Sequence, residues 1–242
     1  MKRVILLTIV CLLFFCLDMP AQLSVKQTKA IIVKRMIELN HLSPRPVDDS
    51  FSVAMFRSLL KIADRRKLLF TDAEYKSLLS HTTHLDDELN GKSWKFVDLF
   101  ESLYKRSLTR ADSIINKQLQ KPFDFSVNES ITTSTEETFN FSVDIAALSN
   151  RWSRYLKYRA LNQLFELVTN DSSGKTTLKT STSSSEAKVR ERILLSETRL
   201  LKKSLDHPAG FSEHVFQLYL DAIASGFDPH TNYFSQEGKE EF

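Results

Sequence analysis

His81 and His84 stand three residues apart and run straight into Asp86, Asp87 and Glu88. Imidazole and carboxylate groups at that spacing share one helix face and can hold a divalent metal together. They lie in a polar connector between apolar segments, so a solvated loop is the expected reading and a metal site the minor one. Ser183, Ser184 and Ser185, followed by Glu186 and Lys188, carry the groups of a Ser/Lys dyad. A serine nucleophile needs a rigid frame, oxyanion donors and a desolvated amine, and a Ser/Thr tract supplies none of these. Trp152, Tyr155 and Tyr158 interleave with Arg151, Arg154, Lys157 and Arg159. At helical spacing the aromatic residues are expected in the core and the basic ones on the wet face, with a peptide or partner surface as the alternative. No G-x-S-x-G, H-E-x-x-H, P-loop or dinucleotide fingerprint occurs in the sequence, so no catalytic residue, metal or cofactor is expected.

The elements behind these residues are helical. Of 242 residues, 42% are hydrophobic and 26% charged, which excludes a disordered or collagen-like chain. Five glycines and six prolines are too few breakers for the frequent tight turns of a sandwich or barrel. The fold class expected is all-α, an irregular multi-helix bundle preceded by a signal peptide. A net charge of +3 is too small to imply a nucleic-acid partner.

Lys2 and Arg3 open the chain, and the apolar run Val4 to Leu17 follows, ending at Asp18, Met19, Pro20 and Ala21. This reads as a secretory signal peptide over 1–21, because the run is shorter than the roughly 20 residues of a membrane-spanning helix. An uncleaved anchor and a lipoprotein at Cys16 are the weaker alternatives; Phe15 is too bulky to precede a lipidated cysteine. Both cysteines, Cys11 and Cys16, fall inside the leader, so the exported chain is expected to hold together without disulfides.

Helical periodicity then recurs from about Ser24 to Leu39. A second helix, capped near Asp48, Asp49 or Ser50, carries Phe51, Met55, Leu59 and Ile62. Thr71 and Glu74 have the spacing of a capping box and open a short helix with Tyr75, Leu78 and Leu79. The strongest pattern runs from about Ser93 to Leu119, where Phe96, Val97, Phe100, Leu103, Tyr104, Leu108, Ala111, Ile114, Ile115 and Leu119 form one stripe. Phe123 to Val127 alternates and is expected to be briefly extended. A helix from about Ser142 to Val168 carries Leu148, Trp152, Tyr155, Leu156 and Leu164. Asn170 to Ser185 is a Ser/Thr-rich linker, expected to be solvated and mobile. Two helices follow, about Glu186 to Leu205 with Val189, Ile193, Leu194, Leu200 and Leu201, and about Ser212 to Ser225. Gly226 is expected as a C-terminal cap and Asp228-Pro229 as a turn. The division expected is a leader at 1–21, a helical domain at 22–226 with its linker at about 170–185, and a connector at 227–242.

The stretch Phe227-Asp228-Pro229-His230-Thr231-Asn232-Tyr233-Phe234-Ser235 resembles the D-P-H-T-x-Y-x-S signature that closes the N-terminal helical region of bacterial tail-specific proteases, also called carboxy-terminal processing peptidases. Ser43-Pro44-Arg45-Pro46 with Asp48, Asp49 and Phe51 is similar to an early S-P-x-P-L-D-D-x-F-S stretch of that family. Pro122-Phe123-Asp124-Phe125 is similar to its P-F-D-F, and Trp152, Leu156, Lys157 and Tyr158 to its L-x-x-x-W-x-x-x-L-K-Y helix. Where relatives read L-D-P-x-K-x-Y-F-T, this chain has Ala63-Asp64-Arg65-Arg66-Lys67-Leu68-Leu69-Phe70-Thr71, without the proline. The resemblance implies the scaffold region of an envelope serine protease whose PDZ domain and Ser/Lys core lie in the same polypeptide beyond Phe242. The chain is thus expected to be a non-catalytic fragment acting in the periplasm or cell envelope. Implied partners are that PDZ domain and core, protein substrates with apolar C-termini and an envelope adaptor protein. Asp228, Pro229, His230, Thr231, Tyr233 and Ser235, with Trp152 and Tyr158, are the implied motif and interface residues. The competing expectation is a stand-alone exported helical binding or adaptor protein.

Overall fold

The computed structural model describes residues 23–132, 140–169, 183–228, 230, 231 and 233. Among them are eight helices: α1 (Val25–Asn40), α2 (Asp49–Asp64), α3 (Asp72–Leu79), α4 (Leu85–Leu89), α5 (Phe96–Leu119), α6 (Ile145–Thr169), α7 (Ser183–Leu205) and α8 (Phe211–Phe227). No strand occurs among the described residues beyond one isolated parallel bridge between Thr71 and Ser142. The architecture is the all-α bundle expected. None of the described helices is long and apolar enough to cross a membrane. The leader at 1–21 and most of the Ser/Thr-rich tract, 170–182, lie outside the described residues.

All ten residues of the long stripe on α5 are buried. Phe96, Phe100 and Tyr104 stack in a row with ring centroids 6.0 and 5.5 Å apart, and Phe211 of α8 closes the row 5.9 Å from Tyr104. One contiguous apolar cluster runs from Ala30 to Phe227 and draws on every helix. At roughly 25 cal/mol per Å² of apolar surface, such burial is the main favourable term holding the bundle together.

Local chemistry sets the helix ends. Ser24 caps α1 by accepting from Gln27 N at 3.1 Å, and Asp48 caps α2 by accepting from Phe51 N at 3.0 Å. Thr71 and Glu74 form the capping box of α3. Asp144 accepts from Ala147 N at 2.7 Å, so α6 begins at Ile145 and leaves Ser142 to the bridge with Thr71.

Several expectations are corrected. Ile62 is half-exposed, because the buried arc of α2 is Ser52, Met55, Phe56, Leu59 and Ala63, and Ile62 falls on its margin. Leu79 and Leu200 are exposed as well; on α7 the buried line runs Val189, Ile193, Glu197, Leu201 and passes Leu200 by. Phe123 to Val127 is a turn, closed when Asp124 Oδ1 accepts from Ser126 N and Oγ at 2.9 and 2.6 Å. Ser183, Ser184 and Ser185 belong to α7 rather than to a linker. Gly226 does not cap α8: it lies inside the helix, where an added Cβ would meet Phe51 Cζ at 3.0 Å.

Candidate functional site

The residues singled out in the sequence fall into two places. The first is the end of α8. Asp228 leaves the helix in an extended conformation, its N–H still donating to Ala224 O at 3.2 Å. Its side chain bonds back to the chain, Oδ1 accepting from His230 N at 3.0 Å, while its carbonyl accepts from Thr231 N at 2.9 Å. That is the turn expected of an Asp-Pro step, made by the aspartate's own carboxylate. Oδ2 lies 3.8 Å from His41 Nε2 in the loop after α1. Tyr233 packs against the core, and its N–H donates to Asp221 Oδ1 at 2.8 Å. Burial raises the pKa of Asp221, and that N–H pulls against the rise. Phe227, just before the turn, sits 4.8 Å from the Phe51 ring. The exit of the chain is therefore fastened to α1, α2 and α8 together. Pro229 and Ser235 lie outside the described residues.

The second place is the loop between α2 and α3, which contains no proline. Asp64 is buried and accepts from the N–H groups of Leu68, Leu69 and Phe70 at 2.8, 3.0 and 3.0 Å. Burial pushes its carboxyl up to about 7 against the opposing pull of those donors. Lys67 takes a positive φ of 50° inside this loop, a left-handed conformation that costs an L-residue about 1–2 kcal/mol. Three side chains clamp the loop from outside. Arg151 donates to Lys67 O at 3.0 Å, Trp152 Nε1 to Leu68 O at 2.7 Å and Arg110 to Leu69 O at 2.6 Å. Arg110 also donates to both carboxylate oxygens of Glu74, at 2.9 and 2.7 Å. Burial opposes ionisation of Glu74, yet the bonds from Arg110 and Thr71 outweigh it and hold its pKa at about 2.

Trp152 is thus a core residue with a polar task, and Tyr155 is buried beside it. Tyr158 is different. It is 37% exposed and, with Arg154 and Leu161, lines a groove of about 380 Å³ against the 125–131 turn. The basic residues between these aromatics are not the wet face expected. Lys157 is buried and donates to Val127 O at 3.0 Å and Glu129 Oε2 at 2.6 Å. Arg159 pairs with buried Glu197, and Arg151 serves the loop, while Arg154 is exposed. Helical spacing misleads here because α6 is flanked by chain on more than one side, so its cations find carbonyls and carboxylates instead of water.

The acidic residues have tasks that their spacing in the sequence does not reveal. Glu88, read as part of a solvated loop, is buried in the short helix α4, and its Oε1 accepts from Lys95 N at 2.6 Å and Phe96 N at 2.7 Å. It caps α5 from a distance, which is why that helix starts at Phe96 and not at Ser93. Glu186, expected at the start of a helix, accepts from Phe123 N at 3.2 Å and pairs with Arg190 at 2.8 Å, so it ties α7 to the turn after α5. A charged residue four places from apolar neighbours was the available signal, and it is shared by many exposed residues. His84 occupies the N-cap position of α4, and His81 lies 5.9 Å from the Phe96 ring. No group of three or more His, Cys, Asp or Glu among the described residues could hold a metal ion.

Residues 32–237 match the sequence profile of the tail specific protease N-terminal domain. The chain belongs to that family. The match covers the bundle from the middle of α1 through the Asp228 turn, so both places described above are parts of a tail-specific protease N-terminal domain. The family ties the chain to proteolysis. The fastened exit of α8 is how this member of the family builds the stretch Phe227 to Ser235, as far as it is described, and the loop at Asp64 is how it builds a stretch that departs from the resemblance.

Proposed function

We propose that this chain is the non-catalytic scaffold of an envelope serine protease that processes proteins from their C-termini. One observation carries the reading. The buried charged groups of the described bundle, Asp64, Glu74, Glu88, Lys157, Glu186 and Glu197, are committed to backbone groups or counter-charges on neighbouring segments. Reactive side chains in an active site are held next to space for a substrate; of these only Lys157 borders a groove, and there its ammonium is bound by Val127 O and Glu129. In this reading the leader exports the chain, and the Asp228 turn hands it to a PDZ domain that captures apolar substrate C-termini. A Ser/Lys pair further along performs the cleavage. Fixing the direction of exit through His41, Phe51 and Asp221 would set where that next domain sits.

The test is direct. The purified 242-residue chain should hydrolyse no unfolded protein and should take no label from a serine-directed fluorophosphonate. Turnover that survives purification to homogeneity and tracks the protein through a sizing column would end the scaffold assignment.

A further inference from the structure

Past the turn closed by Asp124, the chain from Asn128 to Thr132 runs without helix, turn or bend. Its side chains alternate as those of a strand do. Glu129 reaches the Lys157 ammonium of α6 and Ile131 packs against the core, while Asn128, Ser130 and Thr132 are exposed. No backbone N–H or C=O of these five residues has a hydrogen-bond partner among the described residues. Roughly 16 Å of extended backbone is thus left unpaired, a ready template for a second strand. The groove of about 380 Å³ lies between this segment and α6. Val127, Ile131, Tyr158 and Leu161 supply its apolar surface, and Val127 and Leu161 are 51% and 46% exposed. Two cations border it. Lys157 is already neutralised by Glu129 at 2.6 Å. Arg154 is exposed and has no hydrogen-bond or ion-pair partner among the described residues.

We propose that this groove binds an extended peptide segment of another polypeptide, one with apolar side chains at alternate positions and an acidic residue beside them. The peptide backbone pairs with the free N–H and C=O groups of 128–132, and every second side chain enters the groove against Tyr158 and Leu161. Its carboxylate meets the uncompensated guanidinium of Arg154, where a charge-assisted bond fixes the direction of binding. Other occupants leave the backbone groups unmet. A helix has spent its own N–H and C=O groups internally and offers none to an edge. The hydrocarbon of a bilayer cannot satisfy them either. This proposal does not rest on the scaffold reading: a chain that binds no peptide here is still a scaffold, and a bound peptide need not be cleaved.

The probe is a positional-scanning library of fluorescein-labelled nonapeptides, blocked at both ends and titrated against the full chain. It should select valine, isoleucine or leucine at alternate positions and aspartate or glutamate at a flanking one. Binding of the best member should slow the hydrogen exchange of amides within 128–132, read by nuclear magnetic resonance. That peptide is then N-methylated at alternate residues, in each of the two registers. One register should bind roughly tenfold more weakly than the other, because only one set of amides faces the edge. Leu161→Glu should weaken binding roughly tenfold, and Arg154→Glu should abolish the preference for an acid. Both positions are exposed, so the circular dichroism of the bundle should be kept. A library without selection overturns the proposal, as do two N-methylated registers that bind alike or full affinity in Leu161→Glu. So does slow exchange of 128–132 in the peptide-free chain, which would mean that this chain or a second copy already pairs the edge.

Discussion

Two buried carboxylates within ten residues of each other titrate in opposite directions. Glu74 is held at about 2 in the folded chain, below its unfolded value near 4.3. Its stabilisation is complete above that unfolded value and is lost as pH falls toward 2. Asp64 is raised to about 7, so its contribution is complete below about 4 and is lost as pH rises to 7. In urea unfolding followed against pH, wild type minus E74Q should shrink by on the order of 2 kcal/mol between pH 5 and 2. Wild type minus D64N should instead fall as pH rises from about 4 to 7. A flat difference for either variant would show that its carboxyl titrates alike in folded and unfolded chains. The capping-box half of Glu74 was legible, since Thr71 and Glu74 have the required spacing. Its bond to Arg110, 36 positions away, was not, because only packing α3 on α5 brings the two together.

Among the helices, Gly226 shows how position in a packed pair overrides propensity. In a helix interior, alanine in place of glycine usually stabilises by about 1 kcal/mol. Here the new Cβ would sit 3.0 and 3.1 Å from two ring atoms of Phe51, which is fully buried and locked against Phe227. Overpacking a ring that cannot withdraw costs about 1–3 kcal/mol. Gly226→Ala should therefore lower stability by about 1 kcal/mol net, read as a drop in the thermal midpoint; a rise would mean that Phe51 has room to move. Helix existence was readable in seven of the eight segments, where a 3.6-residue period survives; the five-residue α4, too short to show a period, is read from the sequence as loop. The starts of α5 and α6 were misplaced by three residues each. Glu88 holds the N–H groups of Lys95 and Phe96, and Asp144 rather than Ser142 caps the later helix.

For the molecule as a whole, one apolar cluster threads all eight helices among the described residues. A single cluster favours one cooperative transition. Phe100→Ala removes a fully buried ring from the middle of the aromatic row on α5 and should cost about 3–5 kcal/mol. Far- and near-ultraviolet signals of that variant should still fall together. Separate transitions would show that α6 and α7 form a unit that unfolds apart from α1, α2 and α8. The inactivity expected of the purified chain is a test at the same level.

Periodicity, capping residues and the Asp228 to Ser235 stretch were enough to read an all-α chain and its family, because they depend on neighbours within a few residues. The tasks of Asp64, Glu88, Lys157 and Glu186 depend on groups brought close only by folding, and burial changes the energy of a charge more than any local spacing can. The same holds for α1. Its sequence shows apolar residues on both sides, and only the packing of Gln27 and Ala30 against the bundle decides which side faces inward.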